Sequence, residues 1–155
     1  MIEIVRAKES HVPAIGNLWL EFMRYHQDID PIFTPRDGAV SDFEDEQVRR
    51  LMKSEDGLVL VALDRGRVVG YSLSEIRSSR GIELETFGAV DHLAVTASYR
   101  RRGIGEEMLG EILKWFQSRN IDRVELEVAA KNQVAYSFWK KHEFTDYRHR
   151  LYRQI

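Results

Sequence analysis

The spacing of apolar residues changes several times along the chain, and each change predicts a new element. Residues 2–6 alternate between apolar and charged side chains, as a half-buried strand does. Over residues 12–23 the apolar side chains recur every three or four positions, which predicts a helix. Because Pro13 fits only in the first turn of a helix, this helix should begin near Ser10, and its spacing fades after His26.

An acidic segment follows, and it predicts a loop and then a second helix. Residues 28–46 hold seven carboxylates and a single arginine, with Pro31, Pro35 and Gly38 as helix breakers. The run Ser41-Asp42-Phe43-Glu44 has the form of a capping box, which places Phe43, Val48, Leu51 and Met52 inward. The carboxylates have two interpretations: a solvated loop with a helix start, or an acidic rim for a cationic acceptor.

The rest of the chain alternates strands with helices. Strands are predicted at residues 58–63, 67–76, 82–95 (bent or bulged at Gly88) and 124–128, helices at 104–118 and 132–141, and a final strand or two at 144–152. The resulting order is β-α-α-β-β-β-α-β-α-β. The economical packing is an α/β (α+β) fold with a central mixed sheet and helices on both faces.

Composition narrows the class of protein. The 155 residues suit a single domain over residues 1–155, and the net charge of −2 gives no general attraction to nucleic acid or to a membrane surface. No apolar run approaches the ~20 residues of a membrane helix, and the N-terminus lacks the pattern of a signal peptide. The five histidines show no metal-like spacing, so we expect no metal. The absence of cysteine excludes a thiol nucleophile and fits a cytoplasmic protein.

A basic glycine loop, residues 100–105, separates the 82–95 strand from the 104–118 helix. Its sequence is Arg-Arg-Arg-Gly-Ile-Gly. A helix N-terminus offers unpaired N–H groups and a positive dipole end, which favours a phosphate or pyrophosphate site. The loop is not a P-loop, because no Lys-Ser/Thr pair follows the second glycine, and it lacks the third glycine of a dinucleotide fingerprint. A plain strand-to-helix turn is the alternative.

Two blocks resemble the GNAT superfamily of N-acetyltransferases. Residues 95–105 are similar to the family's Arg/Gln-x-x-Gly-x-Gly/Ala signature, and residues 132–144 are similar to its second conserved block. The resemblance covers nearly the whole chain. It implies a GNAT-like, mostly antiparallel twisted sheet and acetyl-CoA as the acetyl donor, with coenzyme A as product.

The resemblance also implies a cofactor site. The backbone of residues 93–95 would pair with the pantetheine arm, backbone N–H groups of residues 101–106 would hold the pyrophosphate, and the arginine side chains would contact phosphates. Asn132 would contact the arm, and Ala135 would leave room for it. The predicted cofactor-binding residues are Leu93, Ala94, Val95, Arg100, Arg101, Arg102, Gly103, Ile104, Gly105, Glu106, Asn132, Ala135 and Trp139.

Three positions depart from the family pattern. Ala97 replaces a proline after the strand, which lowers the rigidity of the turn, and Glu143 replaces a glycine, so that turn should need another geometry. Trp139 stands where a tyrosine often serves as general acid, and an indole N–H is no practical proton source. Tyr136, one turn earlier, is the predicted substitute, with a packing role as the alternative. A thiolate leaving group can also depart without a general acid.

The expected chemistry is direct attack of an amine on the thioester. The amine must first lose a proton, and Asp91 is the predicted base, acting through water. Its alternative is a structural hydrogen bond. His92 has the natural pKa of a base, but strand alternation points it to the opposite face from Asp91, so only one of the two should face the cleft, and Asp91 is preferred. Backbone N–H groups near Ala94 and Val95 would stabilise the oxyanion.

The acceptor pocket is predicted along the first helix. Its residues would be Trp19, Phe22, Tyr25 and His26, with core packing as the alternative for Trp19 and Phe22. A small cationic amine, such as a polyamine or an amino sugar, fits an acidic, aromatic-edged pocket. The other functions considered are acetylation of a protein α-amine or lysine, and a non-catalytic acyl-CoA-binding module. The family resemblance also implies a homodimer.

Overall fold

A five-stranded sheet forms the centre of the molecule in a computed structural model that describes residues 1–155. The strands are β1 (Ile2–Arg6), β2 (Gly57–Asp64), β3 (Arg67–Ser78), β4 (Thr86–Val95) and β5 (Val124–Glu125). They lie side by side in chain order. The first four are antiparallel neighbours, and β4 and β5 are parallel.

Helices cover both faces of this sheet. They are α1 (Val12–Ile29), α2 (Ala39–Asp42), a π-helix (Phe43–Arg49), α3 (Arg50–Lys53), α4 (Ile104–Ser118) and α5 (Gln133–Lys141), with 3₁₀ turns at Glu9–His11, Pro31–Phe33 and Ala97–Tyr99. The predicted mixed, mostly antiparallel sheet between helices is therefore confirmed. No helix has both the length and the apolar character that a membrane crossing requires.

Each face of the sheet has its own hydrophobic core. The first core joins the sheet to α1 and to the helical segment 39–53, through Val12, Ile15, Trp19, Phe43, Val48, Leu51, Val59, Val61, Tyr71 and Leu73. The second joins the sheet to α4, through Leu58, Leu60, Ala62, Val69, Val90, Ile104, Met108, Ile112, Phe116 and Ile121. Apolar residues on both faces of β2 explain why its sequence is a continuous apolar run.

A β-bulge at Asp91 changes which side chains share a face. Ser74 pairs with Val90 and Leu73 pairs with His92, so Asp91 is the extra residue on β4. Asp91 is paired with Arg77, and Arg77 also contacts Glu75, which bonds to Arg50 of α3. His92 packs against Phe22 of α1. Both residues therefore face the α1 side, and the prediction that alternation separates them is wrong. The sequence predicted an irregularity at Gly88, and the bulge lies three residues later, at Asp91.

The second helix begins earlier than predicted. It starts at Ala39, directly after Gly38, so residues 41–44 lie inside the helix and form no capping box. Phe43, Val48 and Leu51 are buried, as the apolar spacing predicted. Likewise, α1 extends to Ile29 and ends three residues beyond His26.

The C-terminal strand predicted at residues 144–152 is absent. No residue after Lys141 belongs to a helix or strand, and residues 145–155 are all exposed. Pairing in β5 stops at Glu125, so the predicted 124–128 strand is also shorter. The basic run Arg148-His149-Arg150 interrupts the apolar alternation that would allow one face to be buried. Tyr147 holds the segment to β5 by donating to Glu125.

Candidate functional site

The second half of β4 has one edge without a strand partner. β5 pairs only with Gly88 and Ala89, whereas the opposite edge of β4 pairs with β3 as far as Val95. Leu93 and Val95 pack toward the α4 core, and Ala94 packs toward the α1 core. The backbone of residues 93–95, the predicted pantetheine contacts, therefore lies along an open edge that an extended chain can join by β-type hydrogen bonds.

The glycine loop presents a row of free backbone donors. The six N–H groups from Arg101 to Glu106 donate to no acceptor within the chain, and α4 has no side-chain N-cap. The start of any helix leaves four such groups free, here those of residues 103–106, and the preceding loop adds two more. Arg101 and Gly103 have φ angles of 64° and 82°, and no atom lies within 4 Å of a Cβ built on Gly103. The loop can therefore approach an anion closely.

Two of the three loop arginines are held in place by the surrounding structure. Arg100 donates from Nε to the Val95 carbonyl at 3.0 Å, and its guanidinium lies 5.2 Å from the centre of the Tyr25 ring. Arg102 lies 4.8 Å from the centre of the Tyr99 ring, whose hydroxyl donates to Asp64 at 2.6 Å. These contacts restrain the guanidinium groups of two loop arginines.

Glu21, which the sequence did not single out, joins α1 to the turn before the loop. Its carboxylate accepts hydrogen bonds from the Thr96 hydroxyl and from the Ala97 N–H, the latter at 2.9 Å. A proline at position 97 could not donate this bond. The turn was expected to be less rigid with Ala97 in place of proline, and the hydrogen bond to Glu21 restrains it instead.

Asn132 connects the two sides of the site. It is buried, its Oδ1 accepts from the Ala135 N–H at 3.1 Å as the N-cap of α5, and its Nδ2 lies 3.1 Å from His26 Nε2. His26 Nδ1 lies 2.9 Å from the Phe22 carbonyl oxygen. Because that carbonyl can only accept, His26 carries its proton on Nδ1 and accepts from Asn132 through Nε2. The side chain of His26 thus links α1 to the start of α5.

Two aromatic residues of α5 have different contacts: Trp139 packs on the core, and Tyr136 contacts the C-terminal segment. Trp139 packs against the α4 core and lies edge-on to Phe144, with ring centres 5.2 Å apart. The Tyr136 hydroxyl donates to the carboxylate of Asp146 at 3.1 Å, and the side chain is half exposed. Glu143 adopts a φ of 70°, so the turn keeps left-handed geometry, and the expected change of geometry there is wrong. A non-glycine residue adopts it at a cost of about 1 kcal/mol.

The four predicted acceptor-side residues have different surroundings. Trp19 is stacked on Phe43, with ring centres 4.8 Å apart, and belongs to the α1 core. The Phe22 ring lies 4.2 Å from His26 and 5.4 Å from His92, whereas Tyr25 lies beneath Arg100. Phe33, which the sequence did not indicate, contacts His26 edge-on. Trp19 is thus a core residue, and Phe22 and His26 lie beside β4.

Several carboxylates of the acidic segment are already paired. Asp30 accepts from the Ile32 N–H, the main cause that lowers its pKa, and lies 3.3 Å from Lys131. Asp42 bonds to Arg36, and Asp45 lies 2.6 Å from Arg49. These pairs support the interpretation of the segment as a solvated surface with structural ion pairs more than as an open acidic rim.

Asp91 and His92 have different partners although they share a face. The carboxylate of Asp91 accepts two hydrogen bonds from Arg77, at 2.7 and 2.9 Å. His92 is half-buried, and its Nδ1 lies 2.9 Å from the Tyr71 hydroxyl. Burial is the main cause that lowers the pKa of His92 to about 4. The imidazole of His92 is therefore neutral near pH 7, whereas the carboxylate of Asp91 is paired with Arg77.

Comparisons with known proteins agree with this architecture. The sequence profile of the acetyltransferase (GNAT) family matches residues 19–144. N-alpha-acetyltransferase 30 of Schizosaccharomyces pombe is 32% identical over 93 residues, which are 60% of this chain and 60% of that protein. The match therefore spans about three fifths of the length of this curated relative.

Solved structures share the fold at low sequence identity. The tetramutant of the BH1408 protein from Bacillus halodurans superposes with a TM-score of 0.86, 19% identity and 99% coverage of both chains. Aminoglycoside N-acetyltransferase AAC(6')-Iy in complex with CoA gives a TM-score of 0.75 and 15% identity, and covers 99% of this chain and 95% of that one. At these identities the likeness concerns the fold alone.

Proposed function

Because the chain belongs to the acetyltransferase (GNAT) family, we propose that it transfers an acetyl group from acetyl-CoA directly to the primary amine of a small molecule. The observation that carries this proposal is the row of six free N–H groups at Arg101–Glu106, beside the open edge of β4. A pyrophosphate fits the first feature, and an extended pantetheine arm fits the second.

The loop, the end of β4 and α5 would each bind a different part of acetyl-CoA. The N–H groups of the loop would hold the pyrophosphate, with Arg100 and Arg102 adding charge-assisted contacts, and residues 93–95 would pair with the arm. Ala135 and Trp139 would line the arm from α5. Both polar groups of Asn132 already have protein partners, so we propose that Asn132 positions α5 and contacts the arm mainly through its surface.

The chain supplies the groups that direct attack needs. Acetyl-CoA supplies an activated thioester, and the absence of cysteine leaves no thiol nucleophile to carry the acetyl group. The amine must lose a proton before it attacks, and we propose Asp91 as the acceptor of that proton through water. Backbone N–H groups near Ala94 and Val95 would stabilise the oxyanion. The Tyr136 hydroxyl bonds to Asp146, so we propose that the thiolate leaves without a general acid from Tyr136.

A small-molecule acceptor is favoured over a protein by the aromatic surroundings of β4. Phe22 packs against both His92 and His26, and Phe33 packs edge-on against His26. This aromatic cluster suits a compact ligand more than an extended peptide. Acetylation of a protein α-amine is the second candidate, because the curated relative is named as an N-alpha-acetyltransferase.

A thiol-release assay tests the proposal. The protein is mixed with acetyl-CoA and a panel of small amines, amino sugars, polyamines and short peptides with free N-termini, and free CoA is measured. We expect release that depends on a small amine, with N-acetylated product seen by mass spectrometry. Turnover on the peptides alone would favour the second candidate. Tight binding of acetyl-CoA without turnover on any amine or peptide would contradict both and indicate a binding module.

A further inference from the structure

His92 occupies a sheltered position beside the proposed acceptor site. It lies on the α1-facing side of β4, directly before Leu93, where the open edge begins its proposed contact with the arm. The rings of Phe22, Phe43 and Tyr71 lie 5.4, 5.5 and 5.9 Å from its own. The imidazole is therefore fixed between a helix, the π-helix and a neighbouring strand.

The hydroxyl of Tyr71 determines where His92 carries its proton. Tyr71 is fully buried, and His92 Nδ1 is the one hydrogen-bond partner of its hydroxyl. Burial raises the pKa of Tyr71 well above its usual value, so the hydroxyl keeps its proton. Because a buried O–H without an acceptor is costly, Tyr71 donates to Nδ1. The neutral imidazole then carries its own hydrogen on Nε2.

The Nε2–H of His92 is free, in contrast to both nitrogens of His26. No protein atom bonds to His92 Nε2, and this nitrogen is not among the polar atoms that the chain seals from solvent. His26 uses Nδ1 for the Phe22 carbonyl and Nε2 for Asn132. Of the two histidines beside Phe22, only His92 therefore has a hydrogen-bonding group to offer a ligand, and that group is a donor.

We propose that His92 is a specificity-determining residue whose Nε2–H donates to an oxygen of the acceptor substrate. The proposal rests on the proposed function, and it narrows the acceptor to primary amines that carry a hydroxyl, ether or carbonyl oxygen near the nitrogen. The oxygen and the nitrogen of the acceptor must be close because His92 lies only two residues before Ala94, whose N–H is a proposed oxyanion donor, and a strand rises about 3.3 Å per residue. Amino alcohols and amino sugars satisfy this requirement, and simple alkylamines and polyamines do not.

The test compares two amines of similar size, ethanolamine and n-propylamine, which differ by a hydroxyl in place of a methyl group. We expect kcat/KM of the wild-type protein to favour ethanolamine by about tenfold or more, because a site with an unpaired donor rejects the analogue that lacks an acceptor. His92→Leu should reduce this ratio to about one. His92→Gln, which keeps an N–H donor, should retain part of it.

A matched control separates hydrogen bonding from packing. Phe43→Leu removes a ring that also packs against His92 but changes no polar group, so the preference for ethanolamine should persist. A ratio that His92→Leu leaves unchanged would overturn the proposal, as would equal losses of the ratio in His92→Leu and Phe43→Leu.

An NMR measurement tests the donor without relying on turnover. A long-range ¹⁵N–¹H correlation spectrum of the wild-type protein at pH 7 should show His92 protonated on Nε2. Protonation on Nδ1 would overturn the proposal whatever the activity. A wild-type protein that acetylates no amine would overturn the proposed function and the selectivity together, whereas one that acetylates both amines equally would overturn only the selectivity.

Discussion

The loop side and the acceptor side of the proposed site are built in different ways. On the loop side, six consecutive N–H groups from Arg101 to Glu106 form one local unit that belongs to the backbone. On the acceptor side, the contacts join side chains from distant parts of the chain, such as Tyr71 to His92 and His26 to Asn132. The loop side therefore depends on backbone conformation, and the acceptor side depends on packing. Each can be disturbed separately.

The largest effect is expected from Gly103→Asp on the loop side. A carboxylate at this position would stand beside the proposed pyrophosphate, and we expect the Kd for acetyl-CoA to rise at least about 100-fold, or about 2.7 kcal/mol. Calorimetric titration measures the change. A Cβ on Gly103 meets no atom within 4 Å, so the variant should fold.

Gly81→Asp is the matched control for Gly103→Asp. Gly81 has a similar φ of 79° and equally open surroundings, but it lies in the turn between β3 and β4. Both variants should lose a similar amount of stability, and only Gly103→Asp should lose affinity. Equal affinity for acetyl-CoA in the two variants would contradict the assignment of the loop.

The difference between local and long-range contacts also explains which parts of the molecule can be predicted from the sequence. Periodicity and the two family-like blocks predict the order of the main elements and the glycine loop, because these depend on neighbouring residues. The bulge at Asp91 is not visible in the spacing, because it depends on how β3 and β4 pair. Glu21 was missed for a similar reason: its partners Thr96 and Ala97 lie 75 and 76 residues away.

The C-terminal segment shows the opposite error. Its apolar residues, separated by basic ones, led to the prediction of a final strand, yet residues 145–155 stay exposed. A strand requires a partner as well as a pattern, and β5 ends its pairing at Glu125. The pattern can be read from the sequence, but whether a strand edge is available for pairing depends on the tertiary structure.

An intermediate effect is expected from His26→Phe, which breaks the link between the two sides. The buried Nδ2 of Asn132 would lose its acceptor, and we expect the free energy of unfolding to fall by about 2 kcal/mol. Urea denaturation measures this loss. The KM for acetyl-CoA should rise as well, because α5 would lose its restraint from α1.

A double-mutant cycle isolates the hydrogen bond from the change in ring packing. Asn132→Ser keeps an N-cap for α5 but cannot reach His26. In that background His26→Phe should cost less than about 1 kcal/mol. Equal costs in the two backgrounds would mean that His26 stabilises the protein by packing alone.

The smallest effect is expected from Asp91→Asn, which tests the proton acceptor at the boundary between the two sides. Below a pKa of ~10.4, the fraction of free amine rises about tenfold per pH unit, so a base matters most near neutral pH. We expect kcat/KM to fall about tenfold at pH 7 and by about twofold or less at pH 9.5. Glu75→Gln is the control, because Glu75 lies 3.4 Å from the same Arg77 but on β3. Disruption of the ion pairs around Arg77 should lower kcat/KM by the same factor at every pH, because it does not depend on the supply of free amine. A loss of kcat/KM in Asp91→Asn that is equal at both pH values, or that Glu75→Gln reproduces, would therefore assign Asp91 a structural role.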